Sequence, residues 1–203
     1  AVIDRQHGIS KMVKHAFPHM DIRVVTLPFE TRGWVETVFS VVRQMPAKEL
    51  RRPLVTLDCA TIYHGVDVLG CCRSLPEAVG ASVYFEVDST AVLTAMGAVA
   101  SQFSYLRLDG QGMITGIREK NVISSAANTG AYIFKSVRAF REHAAQLLES
   151  PEESGKGGLY ASSLISVMIA AGEKSLGLRV DPSMFAIVAT PPQLDTFTVS
   201  VST

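Results

Sequence analysis

Cysteine is scarce in this sequence, and the three that occur make a poor disulfide pattern. Cys71 and Cys72 are adjacent, and Cys59 leaves an odd total. None of them has the spacing of zinc ligands. This usage is typical of a reducing compartment, so we expect a cytoplasmic protein.

An excess of either charge is also absent, since 19 Lys and Arg residues balance 19 Asp and Glu residues. A neutral chain has no global field that attracts nucleic acid or an anionic membrane. The longest apolar helical run, residues 164–171, is far shorter than the ~20 residues of a membrane span. No signal-peptide pattern opens the chain. We therefore expect neither a nucleic acid nor a membrane as partner.

The motifs of common hydrolases are lacking too. There is no Gly-x-Ser-x-Gly element, and Cys59 has no histidine or basic neighbour in sequence that would activate its thiol. The histidines have no spacing that indicates a triad or metal ligation: His7, His15, His19, His64 and His143. The sequence therefore does not indicate covalent catalysis.

What the sequence does contain is a regular alternation of strand-like and helix-like segments. Apolar, β-rich runs at residues 1–3, 22–27 and 54–57 alternate with helical patterns at residues 9–17 and 33–45. This order predicts an α/β fold with a Rossmann-like, mostly parallel sheet flanked by helices on both faces. Ligands of such sheets bind beyond the carboxyl ends of the strands.

A hairpin is the clearest feature of the middle of the chain. Residues 104–108 and 113–117 have strand-like composition, and the Asp109-Gly110-Gln111-Gly112 turn between them has glycines suited to positive φ. We expect this small hairpin to extend from one side of the sheet.

The other predicted elements are a helix capped by Asp67, strands at 82–87 and 131–134, a helix capped by Ser136, a polar linker at 151–158, a helix at 159–171, strands at 176–180 and 185–188, and a last helix opened by Pro191.

Polar residues beside the hairpin indicate a binding site. The Glu119-Lys120 pair ends the second hairpin strand, and Asn128-Thr129-Gly130 precedes the next apolar run. A polar, glycine-bearing strand entry that faces a charged pair is suited to form a ligand rim. The alternative is that the two charges are solvated and that Asn128-Thr129-Gly130 is a turn.

Two further motifs lie towards the ends of the chain. Thr31-Arg32-Gly33-Trp34-Val35-Glu36-Thr37-Val38 comes before the hairpin, and Ala189-Thr190-Pro191-Pro192-Gln193-Leu194 comes long after it. The order of all these pieces resembles the sugar-phosphate nucleotidyltransferase family, the NDP-sugar pyrophosphorylases, over most of the chain. The resemblance implies the nucleotide-diphospho-sugar transferase type of fold. It also implies a reaction in which a nucleoside triphosphate and a sugar 1-phosphate give an NDP-sugar and pyrophosphate.

The resemblance implies a role for each polar residue of the rim. Lys120, a candidate catalytic residue, would contact the phosphate of the sugar phosphate. Glu119 would bind the sugar hydroxyls, and the backbone of Thr129 and Gly130 would meet the ring. Asn128 belongs to the same substrate-binding set.

The resemblance places the nucleotide at the other motif. Gly33, Glu36 and Thr37 would lie near the base. Trp34 either stacks on that base or packs on the sheet. Transfer would be an in-line attack on the α-phosphorus, which depends on positioning, cations and Mg²⁺.

The metal positions depart from the family pattern. The family places an Asp two residues before an apolar-aromatic pair, and here Ala60 stands two residues before Ile62-Tyr63. Asp58 lies two residues before Ala60, so its side chain points to the same face of the strand as that of position 60. Asp58 is therefore our candidate Mg²⁺ ligand and second catalytic residue. The family's second acid has no counterpart among residues 185–190, and its Glu after Pro is replaced by Pro192.

The first residues already resemble a strand, and Ala1 is not an initiator methionine. We therefore expect a single nucleotidyltransferase-like domain over residues 1–203, truncated at its N-terminus. The missing unit would carry the family's Gly-rich phosphate loop. Gly155-Lys156-Gly157-Gly158 does not replace it, because no strand precedes that cluster.

Three functions follow from these observations. The first is a nucleotidyltransferase-like domain that binds a nucleoside triphosphate and a sugar phosphate, with no or very weak activity. The second is a non-catalytic relative of that fold that acts as a regulatory or interaction module. The third is a nucleotide-sugar glycosyltransferase of related topology, but its expected Asp-x-Asp motif is absent.

Overall fold

The computed structural model describes residues 6–76, 79–87, 102–150 and 159–201, with only the backbone for residues 200 and 201. The predicted strand at 1–3 and the predicted linker at 151–158 lie outside these ranges. Within them, no helix combines the length and the apolar character needed to cross a membrane.

The described helices match those predicted from sequence, with small shifts of their ends. They are α1 (Ile9–Ala16), α2 (Trp34–Val42), α3 (Val68–Ser74), α4 (Val137–Glu149), α5 (Ala161–Ala170) and α6 (Pro191–Val201). The described strands are β1 (Leu54–Leu57), β2 (Thr61–Tyr63), β3 (Val79–Glu86), β4 (Ser104–Leu108), β5 (Ile114–Glu119), β6 (Ala126–Phe134), β7 (Lys174–Arg179) and β8 (Phe185–Ile187).

Two helices begin at the side-chain caps that the sequence predicts. The Asp67 carboxylate accepts a hydrogen bond from the Gly70 backbone N–H at 2.7 Å. The Ser136 hydroxyl accepts one from the Ala139 N–H at 3.1 Å. Each cap satisfies an N–H that the first helical turn otherwise leaves unpaired.

We expect Ser136→Ala to lower the free energy of unfolding by about 1 kcal/mol, because α4 loses this cap. Urea denaturation followed by circular dichroism measures the change. Ser74→Ala is the matched control, since the Ser74 hydroxyl only donates to the Gly70 carbonyl within α3. The control should change stability by less than about 0.5 kcal/mol. Equal effects of the two substitutions would contradict the capping role of Ser136.

The central sheet is mixed and mostly antiparallel, so the prediction of a mostly parallel sheet is wrong. Its strand order is β5-β4-β6-β3-β7, and β1 also pairs with β6. β6 is buried along its whole length. β3 pairs with one of its edges, β4 and β1 share the other, and all three pairings are antiparallel. Among the described strands, only β3 and β7 pair in parallel.

The prediction failed because it placed strands that are consecutive in sequence side by side. β1 pairs instead with β6, in a register that runs from Leu54 opposite Phe134 to Leu57 opposite Ala131. Residues 22–27, predicted to be a strand, are described and form none. The hairpin of β4 and β5 does extend from one side of the sheet, where β4 pairs with β6. An apolar run indicates a strand but not the identity or direction of its neighbours.

Two apolar layers hold β6 between them. Helices α2, α4 and α5 cover one face of the sheet, around the fully buried Val35, Phe140 and Leu164. On the other face α3 and the small antiparallel pair of β2 and β8 pack around Val83 and Ala131. Because both faces are covered, the polar residues within β6 are held in fixed positions.

Candidate functional site

A cavity of about 230 Å³ opens beside β6, where β1 and β5 end. Five of the residues singled out from the sequence line it: Asp58, Glu119, Asn128, Thr129 and Gly130. Asp58 directly follows β1, Glu119 is the last residue of β5, and the other three are consecutive in β6. The fold therefore brings together residues that are far apart in the sequence, from Asp58 to Gly130.

The polar tripeptide is not a turn, because all three residues lie within β6. The Thr129 hydroxyl donates to the Val83 carbonyl at 3.1 Å. The Tyr63 hydroxyl lies 3.0 Å from the Thr129 carbonyl oxygen and 2.9 Å from its Oγ1. Burial raises the pKa of Tyr63 to about 12, so this phenol stays neutral and keeps its proton. These bonds fix Thr129 as part of the cavity wall.

Asn128 contributes a polar group to the cavity wall that lacks a hydrogen-bond partner. Its residue is 4% exposed, and its Oδ1 accepts the Gly130 N–H at 2.6 Å. Its Nδ2 is buried and has no hydrogen-bond acceptor among the described residues. An unpaired buried amide costs free energy, so an acceptor brought by a ligand would be stabilised here.

Gly130 lets the Asp58 carboxylate approach the strand. Its φ of +88° lies in the left-handed region, and a Cβ at this position would stand 2.3 Å from Asp58 Oδ2. The Asp58 N–H also donates to the Gly130 carbonyl at 3.1 Å. Any larger residue would therefore strain the backbone and displace Asp58.

We expect Gly130→Ala to destabilise the protein by more than about 1 kcal/mol, the lower end of the cost of a left-handed conformation. It should also weaken ligand binding, because Asp58 must move. Gly110→Ala is the matched control, since a Cβ there meets nothing within 4 Å. Urea denaturation and calorimetric titration measure the two effects. A Gly130→Ala protein as stable as the control would contradict the geometry.

The two carboxylates of the cavity interact with each other. Partial burial, and then the charge of Glu119, raises the pKa of Asp58. Glu119 is held in place by two buried hydroxyls, Ser104 and Ser162, which donate to its Oε2 at 2.6 Å and 2.8 Å. Its Oε1 takes part in neither bond. The cavity therefore presents one oriented carboxylate, Glu119, and a second one, Asp58, whose pKa is raised.

The raised pKa of Asp58 gives a pH-dependent prediction. The folded protein binds this proton more tightly than the unfolded chain, so the resulting stability is present at low pH and is lost as the pH rises through the folded pKa. Asp58→Asn removes that loss. We therefore expect the variant to become more stable relative to the unmodified protein as the pH rises from about 3 to about 7. Urea denaturation across this range measures the difference, and a difference that is constant or falls with pH would contradict the raised pKa.

Lys120, the other predicted catalytic residue, stands at the rim. Its backbone is left-handed, with φ of 54°, and its N–H donates to the Phe103 carbonyl at 2.9 Å. The ammonium lies 3.2 Å from the Tyr160 hydroxyl and 5.0 Å from that ring's centroid. The hydrogen bond to Tyr160 raises the pKa of Lys120. Tyr160 lines the cavity, so the cation is held near its mouth.

The residues predicted to meet the nucleotide base lie at the start of α2 and have partners there. A Cβ on Gly33 would stand 2.9 Å from the Leu159 backbone. Glu36 accepts hydrogen bonds from the Arg32 side chain and N–H, which lower its pKa. The Thr37 hydroxyl lies 2.6 Å from that of Thr31. None of these three predicted residues lines the described cavity.

Trp34 packs on the sheet, which is one of the two alternatives that the sequence left open. Its ring packs against Tyr132, Phe134 and Phe140, with centroids 5.7 to 6.3 Å apart. It also lines the cavity. It is therefore a core residue with one surface available to a ligand.

The wall next to Asp58 does not suit a magnesium ion. Ala60, Ile187 and Ala189 line it, and none has a side-chain oxygen. Glu119 is the other carboxylate of the lining, and its Oε2 is already engaged by two serines. The described residues contain no group of three or more His, Cys, Asp or Glu that could hold a metal. The lining thus supplies at most two carboxylates for a metal ion, and Asp58 as a magnesium ligand stays a prediction.

Sequence reasoning missed the residues that orient the predicted ones. Ser104 and Ser162 hold Glu119, Tyr160 holds Lys120, and Tyr63 holds Thr129. Serine and tyrosine are common at strand and helix ends, so no local pattern distinguishes these four. Only the tertiary fold brings them to the site.

The sheet order, the helix layers and the polar cavity at the strand ends make up a mixed α/β fold. The crystal structure of the nucleoside-diphosphate-sugar pyrophosphorylase from Vibrio cholerae RC9 is similar to this chain, with a TM-score of 0.76. The similarity covers 94% of this chain and 76% of that chain, at 17% sequence identity. It supports the predicted type of fold in part, because the sheet of this chain is mixed and not mostly parallel. No protein-family model matches the sequence, and no curated protein is significantly similar to it in sequence.

Proposed function

We propose that the chain binds a hexose 1-phosphate in this cavity, with a nucleoside triphosphate beside it, and transfers the nucleotidyl group very slowly or not at all. The observation that carries the proposal is the unpaired, buried Asn128 amide in a cavity that also holds two carboxylates. A sugar ring offers what these groups lack, namely acceptor oxygens for Asn128 and hydroxyl donors for Asp58 and Glu119.

The sugar fits the inner part of the cavity. Glu119 accepts hydroxyls most favourably because the two serines fix its orientation before a ligand arrives. Gly130 lines the cavity and has no side chain, so a ring can approach its backbone. Trp34 and Tyr160 add apolar surface, which suits the C–H face of a sugar.

The phosphate fits the mouth of the cavity. Lys120 is exposed, and its ammonium lies beside Tyr160 at the end of a flexible side chain. A phosphate that displaced the phenol would give the ammonium an anionic acceptor in place of a neutral one. Lys120 would thus bind the phosphate and orient the oxygen that attacks the nucleotide.

We expect nucleotidyl transfer to be slow or absent because Ala60, Ile187 and Ala189, which line the cavity, have no side-chain oxygen. Charge that develops on the transferring phosphate is normally balanced by preorganised cations. Lys120 is the one cation that we assign to this task. The same wall favours the second candidate, a regulatory module of this fold that senses a sugar phosphate without converting it.

Calorimetric titration with a panel of hexose 1-phosphates, with and without nucleoside triphosphates, tests the proposal. We expect at least one sugar phosphate to bind saturably and to stabilise the protein by about 2.7 kcal/mol at 100 times its dissociation constant. Inorganic phosphate and free hexoses are the controls, and each should bind more weakly than the joined ligand. If no member of the panel binds, the cavity is not a sugar-phosphate site.

A further inference from the structure

The charges around the cavity form two zones. The lining contains two carboxylates, Asp58 and Glu119, and no Lys, Arg or His among its described residues. Lys120 stands outside this lining, with its ammonium on Tyr160. Two like charges in one cavity disfavour each other unless a proton or a cation lies with them. The inner zone is therefore negative and the mouth is positive.

An independent observation indicates that the inner zone is built for a ligand. Asn128 is 4% exposed, yet its Nδ2 has no acceptor in the described part of the chain. Its Oδ1 is already committed to the Gly130 N–H. The occupant must therefore bring an acceptor oxygen for Asn128 as well as donors for the carboxylates.

We propose that the cavity selects a hexose 1-phosphate that carries a free amine, with its ammonium at Asp58 and Glu119, a ring oxygen at Asn128 and its phosphate at Lys120. This inference rests on the proposed function and narrows it to amino sugars. The ligand's positive and negative ends then match the two zones. A hexose 1-phosphate without an amine, or with an N-acetylated one, has no positive end for the negative inner zone.

The amine is preferred over a hydroxyl because of the number and kind of its bonds. An ammonium has three donors, which is enough for both carboxylates, and its bonds to them are charge-assisted. Glu119 is already oriented by Ser104 and Ser162, so it loses little freedom on binding. A divalent cation would also relieve the repulsion, but the described residues contain no group of three or more His, Cys, Asp or Glu placed to hold one.

Calorimetric titration with glucosamine 1-phosphate, glucose 1-phosphate and N-acetylglucosamine 1-phosphate tests the inference. At about pH 6.5 a free amine is protonated, since model α-amino groups titrate at ~7.7–8.0. We expect the amine to bind at least about tenfold more tightly than either comparison ligand, the lower end of what a charged hydrogen bond contributes. At about pH 9 the preference should fall below about threefold, because the amine is neutral. Tyr63 stays neutral across this range, since its pKa is about 12.

Two isosteric variants locate the effect. Asp58→Asn and Glu119→Gln should each reduce the amine preference at least threefold, whereas Glu86→Gln should keep it. Glu86 also accepts a serine hydroxyl but lies outside the described lining. Circular dichroism verifies that each variant is folded. Similar affinities for all three ligands would overturn the amine inference and leave the proposed function intact, whereas no binding of any of them would overturn both.

Discussion

Incubated with Mg²⁺, nucleoside triphosphates and hexose 1-phosphates, the protein should release pyrophosphate at or near the uncatalysed rate. The physical reason is the apolar wall beside Asp58, where Ala60, Ile187 and Ala189 stand. Removing a single preorganised electrostatic contact slows an enzyme by about 10²–10³. Two missing metal carboxylates should therefore cost at least about 10⁴ in rate. A coupled pyrophosphate assay measures this over a panel of bases and sugars.

Restoring one acid should not recover this activity. We expect Ala60→Asp to remain inactive, because the second metal acid expected at Ile187 or its neighbours would still be missing from the lining. Ala47→Asp, at an exposed position in a 3-10 turn, is a control for added charge. Robust magnesium-dependent turnover by the unmodified protein would contradict this prediction and would identify Asp58 as a sufficient metal ligand.

Glu119→Gln should weaken binding of hexose 1-phosphates by about tenfold to about 100-fold, the range for losing a hydrogen bond to a charged group. The side-chain oxygen of Gln can still accept from Ser104 and Ser162, which bond to Oε2 of Glu119. The amide then presents an N–H to the cavity where the carboxylate presented an acceptor. The substitution thus changes recognition and preserves the local packing. Calorimetric titration measures the affinity.

Glu86→Gln is the matched control for this substitution. Glu86 accepts the Ser125 hydroxyl at 2.5 Å from the end of β3, away from the described cavity lining. Its affinity for the sugar phosphate should stay within about twofold of the unmodified protein, the scale of a surface change within ±0.5 kcal/mol. An affinity of Glu119→Gln equal to that of the control would show that Glu119 does not contact the ligand.

Local chemistry allowed the helices to be predicted, but not the sheet. Ser136 and Asp67 cap helices where the sequence places them, because a cap depends on residues three positions apart. Sheet order depends on which distant strands meet. β6 takes the centre because all of its residues can be buried, and β1 pairs with it across more than 70 residues, from Leu54 to Phe134. No periodic pattern encodes that choice.

Some residues of the candidate site could likewise be predicted from the sequence, and others could not. Glu119 and Asn128-Thr129-Gly130 could be identified because each stands at the end or entry of a recognisable strand, next to a glycine or a charge. Ser162 and Tyr160 could not, because they reach the site from the start of α5, across the sheet edge. Glu36 was assigned to the nucleotide from its motif, yet the structure engages it with Arg32.

A crystal structure of the protein with a saturating hexose 1-phosphate tests the central claim most directly. The expected result is a sugar ring against Gly130, with a hydroxyl or amine on Glu119, an acceptor on Asn128 Nδ2, and the phosphate at Lys120 in place of Tyr160. A ligand bound elsewhere, or a cavity that stays free of the sugar at saturation, would contradict the assignment of this cavity as a sugar-phosphate site.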